Sequence, residues 1–158
     1  MVVRAGAGRG TIYRRWAGKD ELILAAVACA GQDDAAAGLP DTGTLRTDLL
    51  AMLDPGWLGG GERRLRILAG VTAMMSRSPE AFAAVSRGIV EPSVDAYRQL
   101  IQRAVDRGEF PPTADVDTLA EVIPAMAAHR SLFLGQPVSL PFFTAVIDGV
   151  LLPALRQE

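Results

Sequence analysis

Residues 10–22 read Gly10-Thr11-Ile12-Tyr13-Arg14-Arg15-Trp16-Ala17-Gly18-Lys19-Asp20-Glu21-Leu22. The stretch is basic and aromatic up to Lys19, then acidic and apolar. Ile12 and Trp16 stand four apart, so they share one face of a short helix over 9–16. Thr11, Arg14 and Arg15 point elsewhere, with Tyr13 at the edge. Gly8 and Gly10 supply the tight turn that opens such a helix. From Asp20 a second helical stripe follows: Leu22, Ile23, Ala26, Val27 and Ala30. Asp20 and Glu21 lie in its first turn, where the helix dipole favours negative charge. A short helix with an apolar anchor and a hydroxyl-plus-guanidinium face can enter a DNA major groove. Arginine reads guanine edges or grips phosphate, and tyrosine and lysine hold the backbone. Lys19, at the start of the next helix, combines side-chain charge with a helix N-terminus.

The charge distribution agrees with this. Residues 1–19 carry Arg4, Arg9, Arg14, Arg15 and Lys19 and no acid, hence +5, whereas 20–158 hold 11 basic and 18 acidic residues, hence −7. A basic patch on an acidic body predicts a local polyanion contact and not a generally adhesive surface.

Working outward, the rest of the chain keeps a helical period and lacks strand-like alternation. Thr44 to Leu53 predicts a short helix with Leu45, Leu49, Met52 and Leu53 on one side. Glu62 to Ser76 predicts another. Ser78-Pro79-Glu80 opens a longer one, with serine as N-cap and proline at the first position, ending at Gly108 and Pro111-Pro112. Pro92 predicts a kink inside it. Asp115 to Leu134, interrupted by Pro124, and Leu140 to Leu155 close the chain. The fold class expected is all-α. Hydrophobic residues make up 49% of the 158, enough for a core. No apolar run reaches the ~20 residues of a membrane span. A single cysteine, Cys29, excludes an internal disulfide framework, and a soluble, cytoplasmic protein is expected.

Resemblance to a known family rests on Ala5, Gly6, Thr11, Ile12, Tyr13, Trp16, Lys19 and Leu22, which occur in the order of turn, recognition helix and next helix. In this respect the chain resembles the second half of the helix-turn-helix of TetR-type transcriptional regulators, with Ala7 where that pattern has valine. The resemblance implies that Thr11, Tyr13, Arg14 and Lys19 touch DNA, with Arg9 a further candidate. It also implies a helical ligand-binding and dimerisation domain after the helix-turn-helix. The segments Ala128-His129-Arg130 and Val150 to Leu155 resemble the C-terminal part of one subgroup. In the family, one full helix and most of a second precede the turn. Here Met1 to Arg4 stand in their place, so the expectation is a truncated helix-turn-helix and weakened operator reading. Residues 1–31 are assigned to this remnant and its connecting helix, and 32–158 to the C-terminal domain.

Two further sites are expected from the residues themselves. Trp57, Met74, Met75, Phe82, Tyr97 and Met126 form an adaptable Met/aromatic set beside helix-interrupting prolines, suited to a small apolar ligand. For each alone, plain core is the simpler reading. Val122, Phe133, Phe143, Ile147, Val150 and Leu151, on two consecutive helices, predict a homodimer seam. Cys29 among alanines reads as an inert buried thiol, and His129 as an interface or pocket histidine. Asp115, Asp117 and Glu121 read as a helix N-terminus with a solvated acidic face, not a metal site. No phosphate loop, hydrolase motif, cofactor signature or metal cluster is found, so no enzyme is expected. The rival to a DNA-binding regulator of repressor type is a helical ligand-binding module that no longer binds DNA.

Overall fold

Thr44 begins the first described helix for a local reason. Its backbone is extended (φ −138°, ψ 149°) and its hydroxyl accepts the Thr47 N–H, which satisfies one of the donors a helix start leaves open. The structure is a computed structural model and describes residues 38–53 and 79–156. The expected helices at 9–16, 20–30 and 62–76 lie outside the described residues.

Helix α1 (Leu45–Met52) buries Leu45, Leu49 and Met52 at the spacing its sequence dictates. Helix α2 (Pro79–Val85) begins on Pro79 as expected. A π-helical turn (Ser86–Val90) joins it to α3 (Glu91–Asp106). Helix α4 (Val116–Ala128) is capped by Asp115, whose carboxylate accepts the Thr118 N–H. That bond, with the Thr118 hydroxyl, holds the Asp115 carboxyl below its ordinary range. A second π-turn (His129–Phe133) ends α4 at Gly135, which takes φ +60°. Helix α5 (Leu140–Val146), a third π-turn (Ile147–Leu151) and α6 (Leu152–Leu155) form one continuous helical rod. Among the described residues there is no strand. The fold is all-α, as the sequence leads one to expect.

The π-turns explain how the chain accommodates its prolines. A proline ring clashes with the carbonyl four residues back. For Pro92 that residue is Gly88, and for Pro153 it is Gly149. In both cases the preceding turn is widened, with Glu91 N–H bonded to Ser86 O and Leu152 N–H to Ile147 O. The kink expected at Pro92 is thus expressed as a looser turn just before it. Pro124 lies inside α4 without a π-turn ahead of it.

Helix α3 packs on α4, and α1 on α3; the Ile147–Leu151 turn touches both α1 and α4. Leu45, Leu49, Leu100, Ile101, Ile123, Ile147, Leu151 and Leu155 meet in the centre. Burying each aliphatic side chain is worth about 1.5–3 kcal/mol relative to exposure. Among the described residues no helix is long and apolar enough to cross a membrane.

Candidate functional site

Among the described residues, the carboxy-terminal rod and the turn after α4 carry several exposed large apolar side chains, as does Phe82 on α2. Phe133 is 78% exposed, Leu134 53%, Val150 43% and Leu140 41%. Beside them runs a broad, open concavity of about 660 Å³, lined by Leu140, Pro141, Thr144, Ala145, Asp148 and Gly149. Gly149 lies inside the rod, where glycine is less favourable than alanine by roughly 0.5–1 kcal/mol. A Cβ placed there would meet nothing within 4 Å. At the edge of the concavity Asp148 accepts two bonds from Arg46 of α1, Nε to Oδ1 at 2.8 Å and Nη2 to Oδ2 at 2.9 Å. This fork holds the Asp148 carboxyl below its ordinary range and the guanidinium above its own.

The expected seam residues divide between inside and outside. Val150 and Phe133 face out, and Val122 is half-buried. Phe143, Ile147 and Leu151 do not share that surface: they are buried in the core of the single chain. Their burial has a plain cause. Residues 143, 147 and 151 form one ladder along the rod, and α1 and α4 already cover that side, leaving Val150 on another. Ala145 and Gly149 of the concavity carry no amphipathic signal in the sequence, and Leu140 reads there only as the start of the last helix. His129 is exposed and stacks on Phe133, with ring centroids 5.8 Å apart. Arg130 lies over Phe142 at 4.8 Å and donates to Pro137 O at 2.9 Å.

The expected ligand residues are only partly described. Tyr97 is buried within the core cluster, whereas Phe82 and Met126 are exposed. Trp57, Met74 and Met75 lie outside the described residues, as do all the expected DNA contacts, Arg9, Thr11, Tyr13, Arg14 and Lys19, and Cys29. Among the described residues, no group of three His, Cys, Asp or Glu side chains is placed to hold a metal ion.

One polar cluster had no counterpart in the sequence reading. Asp48 on α1 is fully buried. Its carboxylate accepts the Thr42 N–H at 2.5 Å, the Thr42 hydroxyl at 2.7 Å and Arg107 Nη2 at 3.1 Å. Burial alone would raise its pKa; the Thr42 bonds and Arg107 outweigh that and hold it below the ordinary value. Arg107 also grips Glu109, with Nη2 2.6 Å from Oε1, and Asp41 at 3.1 Å. Glu109 Oε2 in turn accepts the Leu45 N–H at 2.9 Å, capping α1 from 64 residues away.

Comparison with known proteins assigns this arrangement to a family. The tetracyclin repressor-like, C-terminal domain family matches residues 39–150. An HTH-type transcriptional regulator of Mycobacterium tuberculosis strain H37Rv is 33% identical over 158 residues, which is the whole of this chain and 77% of that protein. A relative named as the DNA-binding transcriptional repressor TetR, from Mycobacteroides abscessus, is 35% identical over 156 residues, covering 96% of this chain and 79% of the relative. The crystal structure of the TetR family transcription regulator SCO0332 superposes with a TM-score of 0.67 at 26% identity, covering 92% of this chain and 80% of that one. These relatives are transcriptional regulators, not enzymes. The helical body and these similarities together establish that the chain belongs to the TetR family of transcriptional regulators.

Proposed function

We propose that the protein is a ligand-responsive repressor that binds a palindromic operator as a homodimer. The observation that carries this reading is the +5 segment 1–19, with its Thr11-Ile12-Tyr13-Arg14 helix pattern, on an acidic body of the TetR family. The relative from M. abscessus, named as a DNA-binding transcriptional repressor, supports repression. Residues 1–31 serve DNA reading and connection, and 32–158 ligand binding and dimerisation. Arg14 and Thr11 read base edges; Tyr13, Lys19 and Arg9 hold phosphate. The dimer seam is formed by Phe133, Val150 and Val122 together with the open strip at Leu140, Ala145 and Gly149. The side chains buried within one chain serve as its backing. Trp57, Met74, Met75, Phe82, Tyr97 and Met126 receive a small apolar ligand. The ligand acts by binding the operator-incompetent arrangement more tightly than the competent one.

The test is a gel shift with DNA from upstream of the gene, at two salt concentrations. The 158-residue chain is compared with a version extended at its amino end by upstream coding sequence. Base-specific reading requires helices packed behind Ile12 and Trp16, and tighter binding by the extended version would show that added sequence supplies them. Half-sites about one helical turn apart are expected. Lys19→Ala weakens binding to all sequences, whereas Arg14→Ala also relaxes base preference. Thermal-shift screening with apolar compounds should give hits that Met126→Arg abolishes. A ligand at a hundredfold over its Kd stabilises the protein by about 2.7 kcal/mol. If no version binds DNA while the hits remain, the helical ligand-binding module without DNA function is the correct reading.

A further inference from the structure

We infer that Arg46 of α1 is a specificity-determining residue of the dimer seam: it cancels the one charge on the open strip of the carboxy-terminal rod, so that the strip accepts a second copy of this chain. The inference deepens the homodimer reading above and rests on it. Of the residues that line the strip, Leu140, Pro141, Thr144, Ala145, Asp148 and Gly149, Asp148 alone is charged. Arg46 reaches it from 102 positions away and engages both carboxylate oxygens, at 2.8 and 2.9 Å. The next residue, Gly149, is not called for by the chain itself. Its φ is not positive, and a Cβ would meet nothing within 4 Å. Pro153 crowds the carbonyl of residue 149 whatever side chain stands there. A glycine in such a place serves a close approach from outside. Ala145, one turn earlier, is also small, and small residues at the contact let two helices cross closely.

Charge selects the occupant. A basic partner needs the Asp148 carboxylate free, and Arg46 already holds both of its oxygens. A second copy brings the same strip, with no cation among its lining residues and an Asp148 of its own. In an isologous contact the patch meets itself, so the two Asp148 groups come together beside the axis. Unpaired, they repel where water is being excluded; each forked by its own Arg46, they do not. In one chain the pair is exposed, with 46% and 41% of the two side chains accessible. Such a pair adds little to the stability of the single chain. Its effect belongs to assembly.

Analytical ultracentrifugation of the whole chain tests this in sodium chloride at about 0.1 M and about 1 M, where screening acts over roughly 10 Å and 3 Å. Arg46→Met should raise the dimer Kd at least about tenfold at the lower salt, and most of that loss should vanish at the higher. Adding Asp148→Asn to Arg46→Met should bring the Kd back to within about threefold of the parent, because no charge is left to cancel. A mere tie between α1 and the rod behaves differently: the double variant is then as weak as Arg46→Met, and salt rescues neither. That result overturns the proposal. So does a parent dimer whose Kd none of these substitutions changes, since its seam then lies elsewhere. If circular dichroism shows that Arg46→Met does not fold, Arg46→Gln, which keeps a donor without the charge, carries the same test. A parent that is monomeric at micromolar concentration overturns the dimer reading itself, and this proposal with it; the other outcomes leave that reading standing.

Discussion

Replacing Asp48 by asparagine separates charge from shape at the most enclosed polar position of α1. The amide keeps an acceptor for Thr42 but loses the ionic bond to Arg107. A loss of about 1–3 kcal/mol at neutral pH is expected, since a buried donor is left poorly satisfied. The sign of the pH dependence follows from the lowered pKa of Asp48. A carboxyl that ionises more readily when folded contributes its full stability above the unfolded value of about 3.9, and loses it as pH falls through the folded value. The gap between parent and Asp48→Asn should therefore narrow below about pH 4. Urea denaturation of both proteins across that range measures it. A gap of constant size would show that Asp48 contributes only by shape.

Helix endings supply the next level of control. Gly108 occupies a left-handed conformation at φ +78°, with open space where a Cβ would stand. Gly108→Ala therefore tests backbone strain without a clash, and a cost of about 1–2 kcal/mol is expected. The same change should loosen the Leu45 cap, because the turn at Gly108 aims Glu109 at Leu45 N–H. Thermal unfolding gives the first quantity, and amide exchange at Leu45 the second. The widened turns before Pro92 and Pro153 belong at this level too. A glycine stands four residues before each proline, and the i→i+5 bonds of the widened turn keep the helix hydrogen-bonded across it.

For the molecule as a unit, the division between buried and exposed apolar residues yields opposite outcomes on neighbouring positions. Phe143 is 4% exposed and Val150 43%. Phe143→Asp buries an unpaired charge in the core and should abolish cooperative folding. Val150→Asp should leave helicity intact and weaken self-association by at least tenfold, about 1.4 kcal/mol. Light scattering with circular dichroism distinguishes the two. A Val150→Asp protein that stays dimeric at micromolar concentration would move the seam away from this face.

Much was legible in the residues alone. Helix class, the helix starts at about Thr44 and Asp115, the Pro79 start and the Gly108 and Gly135 stops follow from local backbone chemistry, which acts within a few residues of itself. The GTIYRRW pattern, for the same reason, was enough to indicate the family. Periodicity could also group Phe143, Ile147 and Leu151 on one side of a helix. It could not say what covers that side, because a stripe of apolar residues looks the same whether a neighbouring helix or a second chain buries it. Within one chain, packing places Phe143, Ile147 and Leu151 in the core cluster. Likewise Asp48, Arg107 and Glu109 are unremarkable charges in the sequence. Only the tertiary fold brings residues separated by 59 and 64 positions together, and only a buried carboxylate makes their pairing matter.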